Sequence, residues 1–344
     1  MLNDLYSGKT PLTDDLYRKT TDRFLKGVFE GYGKSFVGIK YDSPDFDMLN
    51  KLSYNAGTFA AFKNHNQIQD TVSLLRDAKG ALRPKKEFLT EAKALNEKYN
   101  KRWLATEYDQ AVSASSSAKR WSDIERTKDL YPNLTYIAVN DERTRERHRL
   151  WDGITLPIDH PFWNSHTPPN DWGCRCRVKR TQSEVNDQGF EVDKPVANKA
   201  GFNINFGKQG KVFDNSHPYY QVKAFKKVAK QAENALLAYQ AEKILSLKYS
   251  GKITNSGLAV EVNKQGVEKF LEAKVKNTYE KNNLAYDLKN VLSQSTYNGS
   301  AEGKGSVKMR HYFKVKDKEL WLEVLEEKSG KFSLGGAVDA MPKS

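Results

Sequence analysis
Residues 141–178 constrain the fold of this chain more than any other stretch. They are rich in Arg, His, Pro, Trp and Gly, and their apolar residues follow neither a helical nor a strand period. Such a segment has no broad apolar face to bury, so its shape is expected to rest on polar pairing, buried thiols or a bound ion. Its first part holds Asp141, Arg143, Thr144 and His148. Gly153 follows, then Pro168, Pro169, Cys174, Arg175 and Cys176. Asp141 and Arg143 come just after the β-prone run 134–139, where a carboxylate caps a turn and a guanidinium makes a bidentate pair. The plain expectation is a structural ion-pair network.

His148, Cys174 and Cys176 also carry ligand chemistry. They are a metal set for Zn²⁺, with Asp141, His160 or His166 as a fourth ligand. The spacing is C-x-C rather than the usual C-x-x-C, so two buried thiols beside a hydrogen-bonded His are the favoured alternative. A Cys–His nucleophile is a third option with no other hydrolase feature beside it. Arg143, Arg145, Arg147 and Arg149 alternate. In extended chain they form a phosphate-binding ridge, and in a helix they spread around the cylinder. Glu142 and Glu146 partly neutralise them, which favours local salt bridges.

In this order the residues resemble the head-morphogenesis, or minor head, proteins of tailed phages, the phage Mu protein F-like family. The pattern D-x-R-T-x-x-x-H is filled by Asp141, Arg143, Thr144 and His148. The middle Gly is Gly153, and the Pro-rich stretch and closing C-R-C are Pro168, Pro169, Cys174, Arg175 and Cys176. The upstream helix with Ala105-Thr106-Glu107 is also similar, and the resemblance covers roughly residues 50–180. It implies a phage or prophage protein acting in capsid assembly near the portal. Its implied partners are portal and other capsid proteins, with DNA or RNA contact. Its implied place is the virion or the host cytoplasm during assembly.

The rest of the chain reads as α+β. Its 344 residues suggest two or three domains. Thr13-Asp14-Asp15 offers a cap to a helix with Phe24, Leu25, Val28 and Phe29, which Gly31, Gly33 and Gly38 interrupt before Ser43-Pro44 breaks the chain again. Periodicity predicts helices over 47–78 and 84–117, with a shorter one over 119–130. The run 113–118, Ser-Ala-Ser-Ser-Ser-Ala, is either a linker or, preferably, the close-packed end of the second helix. A loop-rich connector over 181–218 (Pro195 and Gly207 among its breakers) precedes a helix within 219–250. Helix is predicted again over 266–292. Strands are predicted over 307–315 and 319–325, with a short one at 332–335. The segments drawn are an N-terminal helical extension (1–46), the head-morphogenesis module (47–180), a connector and helix (181–254) and a basic α+β domain with antiparallel strands (255–344).

No run approaches the ~18 apolar residues of a membrane span, and the first residues hold an early acid and no apolar core of a secretory signal. No membrane partner and no small-molecule substrate is expected. Two cysteines make no disulfide framework. Lys and Arg number 56 against 43 Asp and Glu, a net charge of +13 that suits a polyanionic partner. Residues 219–331 hold 21 of the cations and 13 of the acids. There Lys308, Arg310, Tyr312 and Lys314 are expected on one strand face, opposite Val307, Met309, His311, Phe313 and Val315.

This C-terminal arrangement resembles the small nuclease-like domains fused to Mu protein F-type modules, grouped with the barnase, EndoU, colicin and RelE nucleases. The resemblance implies metal-independent RNA cleavage. His311 would be acid or base, and Arg310, Lys308, Tyr312 and Lys314 are the further site candidates. The alternative to an assembly protein is therefore a virion-associated ribonuclease, and a third reading is a basic nucleic-acid-binding protein unrelated to phages.

Overall fold
A computed structural model describes Asn3, Tyr6 and residues 14–192 and 200–342. Thr13 and Pro195 lie outside the described residues. Packing divides the chain into two units, Met1–Lys34 with Lys51–Ala235, and Ser35–Asn50 with Leu236–Ser344. The segment limits drawn from sequence follow changes in composition. Limits of the two packed units fall inside two continuous helices, Pro44–Ser73 and Phe225–Leu245.

The first unit is built on helices. Helix α1 spans Asp14–Tyr32, and α2 spans Pro44–Ser73, of which the part from Lys51 onward belongs to this unit. Ser43-Pro44 starts α2 rather than breaking the chain: proline suits the first helical position, and the Ser43 hydroxyl accepts from the Phe46 amide. Helix α2 stops before residue 78 because Asp77 takes over the backbone, its Oδ1 accepting from the Lys79 and Ala81 amides at 2.9 Å. Helix α3, Lys85–Glu97, passes through a π-turn, Lys98–Trp103, into α4, Leu104–Arg126. The separate helix expected over 119–130 is the continuation of α4. The small residues of 113–118 lie in its interior, with Ala114, Ser115, Ser117 and Ala118 buried.

Gly31 does not interrupt α1. A Cβ there would sit 2.1 Å from the Val112 carbonyl oxygen, and one at Gly27 would meet the Ala111 Cβ at 3.0 Å. The glycines let the backbones of α1 and α4 touch. Gly31→Ala should therefore destabilise the protein by about 2 kcal/mol, because overpacking outweighs the gain in helix propensity. Urea denaturation measures this, and a stabilised variant would show that the two helices do not meet there.

After α4 the chain forms a three-stranded antiparallel sheet in the order β2–β1–β3, with β1 Asn133–Ile137, β2 Thr155–Pro157 and β3 Arg177–Thr181. The expectation that residues 141–178 hold no core of their own is corrected. Trp151, Ile154, Ile158, Phe162 and Trp163 pack with Leu134, Tyr136, Trp121 and Ile124. These residues are irregularly spaced and reach one point through turns, so periodicity is blind to them. The connector is likewise packed. Phe213 stacks on Phe59 at 3.7 Å between ring centroids, and Asn55 Oδ1 accepts from the Val212 and Phe213 amides.

The second unit carries a six-stranded sheet. Its strands are β4 Lys252–Asn255, β5 Leu258–Glu261, β6 Thr296–Glu302, β7 Val307–Lys314, β8 Trp321–Glu327 and β9 Phe332–Val338. Their order is β4–β5–β9–β8–β7–β6, antiparallel except for the β5–β9 pair. The helix expected over 266–292 is three shorter pieces, Lys264–Glu272, Thr278–Asn283 and Leu288–Gln294. The whole is α+β, as the sequence implied.

Candidate functional site
The two halves of the Arg-, His- and Cys-bearing segment meet in the first unit, at one end of the small sheet. Asp141 organises the first half. Its Oδ1 accepts from the Arg143 amide and the Thr144 hydroxyl at 3.1 Å each. Both carboxylate oxygens take the Arg175 guanidinium at 2.6 Å, in a bidentate pair that holds the Asp141 carboxyl far below the usual carboxylate range. Both side chains are about 40% exposed, so water screens the pair, and its effect is mainly to fix geometry.

A single helical turn, Glu146–Arg149, follows. It spreads the alternating arginines instead of aligning them, so the phosphate-binding ridge does not form. Arg145 Nε and Arg147 Nη2 converge on the Asp171 carboxylate at 2.9 and 2.6 Å. Arg145 also donates to the Trp172 carbonyl, and Arg149 to the Asp141 carbonyl. Among the described residues, Arg143 alone of the four has a guanidinium with no polar partner. It lies exposed beside a cavity of about 10 Å³ that Thr144, His148, Gly173, Cys174 and Cys176 also line. Gly153 turns the chain back with φ +81°, its amide donating to the Tyr136 carbonyl. Pro168 presents its carbonyl to the Ser117 hydroxyl at 2.5 Å, and Pro169 follows a cis bond.

His148 is buried, its ring stacked on Trp151. Its Nδ1 lies 3.9 Å from Cys174 Sγ and 3.7 Å from Cys176 Sγ. The hydrogen bond from Cys174, helped by those from His148 and Tyr136, draws the Cys176 thiol well below the usual range. That same bond, with burial, pushes Cys174 up. The three ligand atoms lie within 4.8 Å of one another. Asp141, His160 and His166 do not join them. Asp141 is held by Arg175, His160 Nδ1 accepts from the Phe162 amide, and His166 Nδ1 faces the Phe162 carbonyl with its ring stacked on Phe162.

Asp171 and Tyr136 are the members that sequence reasoning missed. Tyr136 donates to Asn170 at 3.0 Å and faces Cys176. Asp171 had a signal: it is the only acid in residues 160–183, downstream of four arginines.

The C-terminal candidates lie on β7. A register shift between Val307 and Met309 breaks the expected alternation. Lys308 and His311 consequently both reach Glu326, at 2.7 and 3.0 Å. Arg310 pairs with Glu323 at 2.6 Å, and Lys314 with Glu319 at 3.0 Å.

Residues 77–179 match the family described as Phage Mu protein F like protein. The chain is 38% identical over 92 residues to the putative capsid assembly protein F of Escherichia phage Mu, covering 26% of this chain and 21% of that protein. It is 40% identical over 76 residues to the Mu-like prophage FluMu F protein of Haemophilus influenzae, covering 22% of this chain and 18% of that protein. The matched stretch thus spans about a fifth of the curated relatives' length. No solved structure matches the chain.

Proposed function
Since residues 77–179 of this chain match the Phage Mu protein F like family, we propose that it is a phage or prophage minor head protein acting in capsid assembly. The observation that carries this reading is that the matched residues are those that close on themselves. Asp141–Arg175 and Asp171 with Arg145 and Arg147 tie the two halves of the motif together. Its chemistry suits docking rather than turnover: an exposed Arg143, an adjoining cavity of only about 10 Å³, and neighbouring cations balanced by carboxylates. We assign its partners as portal and other capsid proteins, and its place as the virion and the host cytoplasm during assembly. The net charge of +13 supports contact with packaged DNA. Among the described residues no helix is long and apolar enough to cross a membrane.

A ribonuclease reading of the second unit draws support from the His311–Glu326 pair. It is the weaker one, because Lys308, Arg310 and Lys314 would each have to leave a carboxylate before meeting phosphate. The assembly reading is tested by probing proheads and mature particles, purified from cells carrying the phage, with antibody to this chain. The chain should cosediment with proheads, and its deletion should cut the yield of filled heads. Absence from both particle types with an unchanged yield would overturn the reading.

A further inference from the structure
We propose that His148 Nδ1, Cys174 Sγ and Cys176 Sγ bind one thiophilic divalent metal ion, zinc being the fitting one. The inference is independent of the assembly reading and is tested on the isolated chain. A tetrahedral zinc with sulfur at about 2.3 Å and imidazole nitrogen at about 2.0 Å sets those atoms roughly 3.5 Å apart. The two observed separations, 3.7 and 3.9 Å, need only a few tenths of an ångström of closure.

The C-x-C spacing is what makes the two thiols act together. Exposure alternates along residues 173–177, so Cys174 and Cys176 turn to the same side while Arg175 turns to the other, toward Asp141. His148 reaches them from the opposite half of the motif, so the ion would join the halves on the inside as the Asp141–Arg175 pair joins them on the outside. A lone thiol beside a histidine needs no such convergence, and setting a buried Cys176 and a half-buried Cys174 against one imidazole nitrogen is the arrangement a soft cation takes.

With three protein ligands the fourth position is open. The adjoining cavity of about 10 Å³ has room for one water molecule, the natural fourth ligand.

Full-length protein, purified under reducing conditions and reconstituted with zinc, should carry one zinc per chain by mass spectrometry. Cobalt substitution should give the thiolate-to-cobalt charge-transfer band in the near ultraviolet. Cys174→Ser and Cys176→Ser should each weaken zinc binding at least tenfold, with far-ultraviolet circular dichroism reporting that they fold. The cobalt band is read on the native sequence and stands even where a variant fails to fold. Folded protein that takes up no zinc and gives no such band overturns the proposal. So does undiminished zinc in the Cys174→Ser/Cys176→Ser double variant, or a Cys174–Cys176 disulfide that persists through reduction.

Discussion
Replacing Lys63 with Met while Glu107 remains should cost about 3–5 kcal/mol of stability, enough to leave the first unit marginal. The Lys63 side chain is fully buried and that of Glu107 is 5% exposed, with Nζ 2.8 Å from the carboxylate. The rings of Tyr99 and Tyr219 flank the ammonium at 5.0 and 5.4 Å. Removing one charge strands the other in a buried site. Burial already pushes the Glu107 carboxyl up to about 7, against the pull of Lys63. Without Lys63 it rises further, so the native variant holds a proton that the unfolded chain releases at a lower pH. The variant's deficit should therefore shrink as pH falls from 8 toward 5. Adding Glu107→Leu should recover most of the loss, since no buried charge then remains. Urea titrations of the two single variants and the double at both pH values measure the coupling. A loss below about 1 kcal/mol for Lys63→Met would falsify the claim that the pair is buried and mutually dependent.

In the second unit, Lys281→Met should cost about 3 kcal/mol. The Lys281 ammonium is buried and donates to the carbonyls of Phe270, Leu271 and Ala273, the last at 2.8 Å. Those carbonyls belong to the final turn of helix Lys264–Glu272, where backbone acceptors have no partner within the helix. The lysine thus caps the helix with all three of its protons, at the end that favours a cation. A methionine of similar length fills the space and leaves the acceptors unpaired. Burial pulls the Lys281 ammonium down to about 7 from its ordinary value of 10.5. Between those pH values the unfolded chain binds more protons than the native one. Native stability relative to Lys281→Met should therefore rise as pH increases from about 7 to 10. Guanidinium titrations across that range provide the check, and a difference that is flat or falls with pH would refute the burial of the charge.

Much of the architecture was legible because amphipathic periodicity survives without neighbours. Helices over 14–32 and 44–73 and the long helical run ending at Arg126 show it, while the strands around 310 and 323 were legible from their β-branched and aromatic residues. Strands β4, β5 and β6 escaped because they are short or largely exposed, with Gly299 and Asn298 inside β6. The motif was legible as a set of rare residue types in order, and its two halves do meet.

By itself, the order of residues along the chain determined the α+β class, the presence of the D-x-R-T-x-x-x-H and C-R-C halves, and the basic character of the C-terminal third. These follow from local propensity and composition, which act within a few residues. Only the tertiary structure decided that Gly31 is a contact rather than a break, and that Asp171 rather than phosphate takes Arg145 and Arg147. It likewise decided that a bulge in β7 turns Lys308 and His311 onto the same glutamate. Each depends on atoms far apart in sequence coming within a few ångströms, and no one-dimensional pattern encodes that distance.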